Sequence, residues 1–249
     1  MDWTGNRKRI KDEFRSRGYV VIREFLSSQG VEELRREIER YTRDVVPRIY
    51  PRDVYCEVKD RLDTIKQLIR MSEYDDYFRK LILSERYVSL AKLLLGGSVV
   101  GKNMQWFNKP REVSRATPPH QDGYYFMLAP NEALTMWLAL DEVDEDNGCV
   151  RYVSGSHLFG LRPHERTNTP GFSQGIPDYG PGDTLKEVSI TAMPGDLLVH
   201  HSLTIHRADV NKSNRTRRAL GVIYYSMNAQ EDEERLREYQ SELAKQALI

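Results

Sequence analysis

The spacing of apolar residues changes character near residue 98. Before that point the clearest period is helical. Val31, Leu34, Ile38, Tyr41 and Val45 recur every three or four residues, the repeat of one helix face. Ser27 or Ser28 can cap that helix, and Pro47 and Pro51 end it because proline has no N–H to donate. Ahead of it Gly18–Phe25 is rich in β-branched and aromatic residues and reads as a strand. Two more helices are expected, over Thr64–Met71 and over Ser84–Leu95. In the second, Val88, Ala91 and Leu95 share one side and Gly96-Gly97 makes the stop. Tyr50 to Asp63 is polar and has no clear period.

From Val99 onward the pattern is one of short strands and turns. Leu134, Met136, Leu138 and Leu140 alternate with Thr135, Trp137, Ala139 and Asp141, a period of two with both faces partly apolar. Strands are also expected over Met104–Asn108, Tyr124–Leu128, Cys149–Val153, Glu187–Thr191, Asp196–His200 and Thr216–Tyr225. Many short strands without helices between them predict a sandwich or barrel. Leu158–Lys186 carries four prolines and five glycines and no period; it reads as a lid over a site or as a surface insertion. After Asn228 an amphipathic helix is expected, with acidic residues at its start and Leu236, Tyr239 and Leu243 on one face. The expected organisation is a single domain over 1–249. It has a mostly helical flank at 1–98, a β core at 99–227 interrupted by 158–186, and a C-terminal helix at 228–249.

Charge and composition narrow the partners. Thirty-seven basic and 37 acidic residues balance, so the overall charge has no nucleic-acid footprint. No apolar run approaches the roughly 20 residues needed to span a bilayer. Two cysteines, Cys56 and Cys149, make no disulfide framework, which favours a reducing compartment. The N-terminus lacks the apolar segment of a secretory signal, and Ala247-Leu248-Ile249 is not a Ser-Lys-Leu address. A cytoplasmic protein, monomeric or homodimeric, is expected.

Candidate chemistry gathers at Pro119-His120-Gln121-Asp122-Gly123. His120 and Asp122 are two residues apart, so on an extended strand both would leave the same face. Joined by a distant imidazole they make a two-histidine-one-carboxylate set, which leaves coordination positions open and suits ferrous iron. His-x-Asp alone is also an ordinary polar strand end.

The surrounding motifs add specificity. Asn103-Met104-Gln105-Trp106-Phe107-Asn108-Lys109-Pro110 precedes His120, and Tyr125 follows. Then come Asn147-Gly148-Cys149, Ser154-Gly155-Ser156-His157, Gly195-Asp196, and His206 with Arg217 eleven residues later. In that order the chain resembles the phytanoyl-CoA dioxygenase family of iron- and 2-oxoglutarate-dependent oxygenases, from about Gly18 to Tyr225. The resemblance implies a double-stranded β-helix, the jelly-roll or cupin-like fold, with Fe(II) and 2-oxoglutarate as cofactors. It implies O2 and a small molecule as the other reactants and succinate and CO2 as products; the charge balance and the lack of a long apolar run make no nucleic-acid or membrane partner expected. His120, Asp122 and His206 become the implied metal ligands and catalytic centre. His206 is preferred because His200 and His201 end an apolar run and look structural, whereas His206 stands upstream of the Asn211–Asn214 turn and an arginine-bearing strand; His201 is the alternative. His157 reads as a turn residue near the site, and His164, in the long stretch, is expected to be exposed.

The distal carboxylate of 2-oxoglutarate calls for a guanidinium, whose planar fork can make two parallel hydrogen bonds. Arg215, Arg217 and Arg218 are the candidates. A hairpin about Asn211–Asn214 would set His206 opposite Ala219 and put Arg217, not Arg218, on the face of His206. The family spacing also favours Arg217. Trp137, Gln105 and Tyr125 are implied at the cofactor site, while Ala208 stands where some relatives carry serine. Halogenating relatives replace the ligand carboxylate; Asp122 is present, so hydroxylation is implied. Tyr50, Tyr55, Arg111 and Arg115 could touch substrate. The competing expectations are a zinc hydrolase with the same ligands and a cupin-like binding protein without turnover.

Overall fold

The structure is a computed structural model and describes residues 3–234 together with 236, 237 and 241. Helix α1 (Arg7–Arg17) ends at Gly18, whose φ of 82° is left-handed and whose N–H closes the last turn on the Phe14 carbonyl. A side chain would not fit there, since a Cβ would lie 2.5 Å from His157 Nδ1 and Thr204 Oγ1. Strand β1 (Tyr19–Ile22) leads to α2 (Ser28–Asp44), which is capped by the Ser27 hydroxyl accepting from the Gly30 N–H at 3.3 Å. Next come β2 (Val54–Cys56), β3 (Ile65–Leu68), α3 (Met71–Tyr74), α4 (Asp76–Ile82) and α5 (Glu85–Leu95).

The second half contains β4 (Val99–Lys109), β5 (Thr117–His120), α6 (Asp122–Phe126), β6 (Leu128–Ala129), β7 (Ala133–Ala139) and β8 (Val150–Val153). It continues with β9 (Glu165–Thr169), β10 (Phe172–Gly175), α7 (Pro181–Thr184) and β11 (Glu187–Ile190). It ends with β12 (Leu197–His201), β13 (His206–Ala208), β14 (Arg217–Ser226) and β15 (Gln230–Glu231).

A seven-stranded antiparallel sheet in the order β1-β12-β7-β14-β4-β3-β2 faces a four-stranded one in the order β11-β8-β13-β5. This is the expected double-stranded β-helix. Alternation along the large sheet divides its two faces. Leu134, Met136 and Leu138 of β7, with Leu220, Val222 and Tyr224 of β14, bury against the helices in one apolar core. Trp137, Ala139 and Ala219 turn the other way and meet Val150 and Tyr152 of the small sheet. The helices act as a backing layer that holds the large sheet in place while its inner face stays free to carry polar groups. Among the described residues no helix is long and apolar enough to cross a membrane.

Several elements differ from the expectation. Thr64–Met71 is not a helix: Ile65–Leu68 is the fully buried strand β3, paired with both β2 and β4. A short apolar run fits either period, and sheet pairing settled it. Tyr124–Leu128 is mostly helix α6 rather than strand; its aromatic residues follow directly on Asp122, where the chain passes from the extended Gln121 into the helix. On α5 the buried face is Tyr87, Leu90, Ala91 and Leu94, with Val88 and Leu95 at its margins. Leu158–Lys186 is not patternless, because it contains the hairpin β9–β10 and helix α7. Most of the expected C-terminal helix, with Tyr239 and Leu243, lies outside the described residues.

Candidate active site

His206 on β13 pairs directly with His120 on β5, which sets the two imidazoles side by side with ring centroids 4.1 Å apart. Asp122 reaches them by a route that strand alternation does not describe. The chain leaves β5 at His120 and enters α6 at Asp122, and the fully buried Gln121 between them is the clamp. Its N–H donates to His164 Nε2 at 3.0 Å and its side-chain amide donates to the Gly160 and Leu203 carbonyls. Its Oε1 accepts the Arg162 N–H at 2.8 Å. Anchored on both sides, the turn holds His120 and Asp122 convergent.

The three residues offer ligand atoms that all lie within 4.8 Å of one another. His120 Nδ1 donates to the Pro118 carbonyl at 2.8 Å and His206 Nδ1 to the Thr204 carbonyl at 3.0 Å. Each Nε2 is therefore left as a lone pair, and the two lie 3.6 and 3.7 Å from Asp122 Oδ1. Asp122 Oδ2 is occupied separately, accepting from the Thr135 hydroxyl at 2.6 Å and from His200 Nε2 at 3.1 Å. Tyr152 in turn donates its hydroxyl to His200 Nδ1 at 2.9 Å. Burial alone would raise the Asp122 pKa, but the imidazoles of His206, His120 and His200 more than offset it and hold the carboxyl well below its usual range. Burial, with His120 and His200 nearby, keeps the His206 imidazole neutral far below its ordinary pKa. Two imidazole nitrogens and one carboxylate oxygen facing a common point fit a divalent iron.

The same cavity, of about 320 Å³, continues from this triad to Arg217 and Lys109. These are directly paired on β14 and β4, so both point from the large sheet into the cavity. Arg217 is 4 % exposed, its Nε has no partner, and no carboxylate among the described residues pairs with it. Its guanidinium lies 5.1 Å from the centroid of the Trp137 ring. Burial pushes its pKa down to about 10. Lys109 Nζ donates to the Arg115 carbonyl at 2.7 Å; burial, then the charges of Arg217 and Lys66, pull its pKa well below the ordinary lysine value. A buried guanidinium without an anion, in a cavity shared with three metal-ligand side chains, fits the distal carboxylate of 2-oxoglutarate.

The anticipated hairpin between His206 and Arg217 does not form. β13 belongs to the small sheet and pairs with β5 and β8, whereas β14 belongs to the large sheet and pairs with β4 and β7. Arg217 still faces the cavity, because odd-numbered residues of β14 up to Ile223 point inward. Arg218 points outward and makes two hydrogen bonds to Asp141, at 2.8 and 2.9 Å, and Arg215 is tied to Glu142 and Asp144 at the surface.

Gln105, Tyr125 and Trp137 line the cavity, and so do Ala208 and Tyr55. Tyr50 and Arg111 are exposed. His201 and His157 lie together elsewhere, their rings 5.6 Å apart. His164 is buried rather than exposed, stacked on Tyr124 and holding Gln121. Thr135, His200, Lys109, Lys66 and Phe172 were not anticipated. For Lys109 a signal existed, its position in the Asn-Lys-Pro motif at the end of β4; the others carry none that the chain alone displays.

A double-stranded β-helix holding this triad and a buried unpaired arginine defines an iron- and 2-oxoglutarate-dependent oxygenase. The family model for phytanoyl-CoA dioxygenase (PhyH) matches residues 14–219, and the chain belongs to the phytanoyl-CoA dioxygenase family. It is 26% identical over 231 residues to the peroxisomal phytanoyl-CoA dioxygenase of Mus musculus, covering 87% of this chain and 68% of that protein. The chain thus spans about two thirds of the mammalian relative. Among solved structures it resembles the non-heme alpha ketoglutarate dependent carbocyclase SnoK from nogalamycin biosynthesis, with a TM-score of 0.73, 25% identity, and 90% of this chain and 85% of that one covered. EvdO2 from Micromonospora carbonacea var. aurantiaca, complexed with 2-oxoglutarate, gives a TM-score of 0.69 at 26% identity, with 90% and 91% covered.

Proposed function

We propose that the protein hydroxylates a small molecule at an unactivated carbon, with His120, Asp122 and His206 holding ferrous iron and Arg217 holding the distal carboxylate of 2-oxoglutarate. The observation that carries this is the single cavity in which the convergent triad and the unpaired, buried Arg217 meet. When bound, iron and 2-oxoglutarate supply the oxidising power, one oxygen atom of O2 entering the substrate as 2-oxoglutarate becomes succinate and CO2.

The chain's own residues set up that chemistry. The Pro118 and Thr204 carbonyls fix the tautomers of the ligand histidines, and Thr135 with His200 holds one Asp122 oxygen so that the other stays available. Arg217 and Lys109 orient the 2-oxoglutarate chain. Trp137, Phe107, Val150 and Ala208 line that end of the cavity with apolar surface, which lowers the local dielectric and strengthens the ion pair. Gln105 and Tyr125 line the same cavity; the Tyr125 hydroxyl donates to the Gln174 carbonyl at 2.9 Å and so ties α6 to the β10 wall. Because Asp122 retains its carboxylate, oxygenation rather than halogenation is the reading.

The test is succinate formation from 2-oxoglutarate with iron and a metabolite panel, together with a product heavier by one oxygen. Turnover with zinc and without 2-oxoglutarate would instead support a hydrolase. Ligand binding without either product would support a binding protein. A chlorinated product in the presence of chloride would overturn the hydroxylase reading.

A further inference from the structure

The formal charge of the chain is zero, but the charges are not evenly spread. Helix α1 carries six basic residues and two acidic ones. Ile10 and Phe14 bury one face of it in the helical core. Arg7, Lys11 and Arg15 are spaced four apart and Lys8 lies three before Lys11, so these four cations share one flank. Of the helix's cations only Arg9 has an ion-pair partner among the described residues, Glu13 at 2.9 Å, and that pair lies away from the flank. In α2, by contrast, Arg35, Arg40 and Arg43 each meet carboxylates.

The C-terminal end of α1 is joined to a loop that exposes large apolar side chains. The Arg17 carbonyl accepts the Gly155 N–H at 2.8 Å, and His157 Nε2 donates to the Arg15 carbonyl at 3.1 Å. Directly after His157 come Leu158 and Phe159, 66 % and 80 % exposed. Lys186 Nζ stands 5.8 Å from the centroid of the Phe159 ring, which brings its neighbour Leu185, 88 % exposed, to the same region. A lone exposed leucine is ordinary, whereas several large apolar side chains beside unpaired cations mark an interaction surface. None of these residues lines the active-site cavity.

The chemistry of this surface selects its partner. Unpaired cations call for an anionic one. A sugar–phosphate backbone would satisfy the charges but would leave Leu158 and Leu185 with nothing to bury against. Anionic headgroups over an acyl layer satisfy both sets at once, the arrangement by which proteins lie on a membrane without crossing it. We propose that α1, with Leu158, Phe159 and Leu185, is a docking surface for an anionic lipid bilayer. Arg7, Lys8, Lys11 and Arg15 meet the headgroup charge, and the three apolar side chains enter the acyl boundary. Docking of this kind needs no spanning segment. It stands independently of the oxygenase reading and sets where that chemistry takes place, at a lipid surface.

The test is co-sedimentation of the full chain with vesicles, either of phosphatidylcholine alone or of phosphatidylcholine mixed with phosphatidylglycerol. At about 0.1 M salt the protein should bind the anionic vesicles and not the neutral ones, and about 1 M salt, which shortens the screening length to about 3 Å, should release it. One cation near an anionic surface contributes about a fivefold factor, so Lys8→Gln/Lys11→Gln/Arg15→Gln should weaken binding about a hundredfold. Leu158→Ser/Phe159→Ser should weaken it tenfold or more, the range for losing a buried aromatic or leucine side chain. Phe159→Trp gives a direct reading of insertion, because Trp3, Trp106 and Trp137 are all buried. Its added fluorescence should be quenched by bromine-labelled acyl chains in anionic vesicles. No binding to either vesicle, equal binding to both, or variants that bind as wild type does would overturn the proposal. Binding to duplex RNA that the triple variant loses, without binding to vesicles, would assign the surface to nucleic acid and overturn it equally.

Discussion

The two faces of the large sheet are made by the same strands and do opposite work. On β7, Leu134, Met136 and Leu138 pack against the helices, and the residues between them, Thr135 and Trp137, look into the cavity. On β14, Leu220 and Val222 join the helical core while Arg217 and Ile223 line the site. The outer face is apolar and closely packed, so its energetics are those of burial, about 25 cal/mol per Å² removed from water. The inner face keeps Arg217, Lys66, Lys109 and His200 out of water, where each costs stability until a partner arrives, while His120 and His206 face it from the small sheet and Asp122 from α6. The contrast shows how a fold supports a charged interior: stability resides on one side of a sheet, and the other side is left free for chemistry.

Mutations should separate the two faces. The largest effect is expected at the ligands, where His206→Ala or His120→Ala should abolish iron binding and succinate release while the thermal unfolding temperature changes little. Iron retained by His206→Ala but lost by His201→Ala would mean the distal ligand is misassigned. Next, Arg217→Ala should weaken 2-oxoglutarate binding by roughly 30-fold to several thousand-fold, since truncating one partner of a buried charge pair costs about 2–5 kcal/mol. Arg218→Ala, on the outward side, should change it by no more than a few-fold. Anaerobic titration of the iron-loaded proteins gives both values, and a larger loss for Arg218→Ala would reverse the face assignment.

On the outer face Leu138→Ala should destabilise the fold by about 2–5 kcal/mol, read in denaturant, and leave the metal affinity of the folded protein intact. A matching loss of metal affinity would mean that the two faces are coupled. His200→Phe removes a donor to Asp122 and should lower iron affinity by about 10- to 100-fold, measured against a competing chelator. An unchanged affinity would assign Asp122 Oδ2 to Thr135 alone.

The smallest effect concerns acid. His164 and His201 are buried, and burial pushes each imidazole down to about 4. Their geometry agrees, because His164 Nε2 accepts from the Gln121 N–H and His201 Nδ1 from the Leu203 N–H. The unfolded chain takes up these protons below about pH 6.5 and the folded one does not until about pH 4. Stability is therefore complete above that upper value and falls as pH drops toward 4, by about 1–3 kcal/mol per group. His201→Phe should flatten that slope in thermal unfolding measured between pH 7 and 5; an unchanged slope would exclude His201 as a source.

Much of this protein could be read along the chain, because the relevant information is local. Helix α2 shows its period and its Ser27 cap, β7 shows alternation, and the ordered motifs from Asn103 to Arg217 point to the family and to iron with 2-oxoglutarate. The family resemblance singles out His120, Asp122 and His206 along the chain, with His201 as the alternative, and the structure brings the first three together. What the tertiary structure alone decided is everything set by register and burial. His120 and Asp122 converge through the Gln121 clamp, not through a shared strand face. Arg217 faces inward because of the parity of β14 in the large sheet, not because of a hairpin with His206. Ile65–Leu68 became a strand because β2 and β4 flank it. His200, Thr135 and Lys66 gained their places from neighbours tens of residues away, since a side chain's partners depend on cross-strand pairing that no local period encodes.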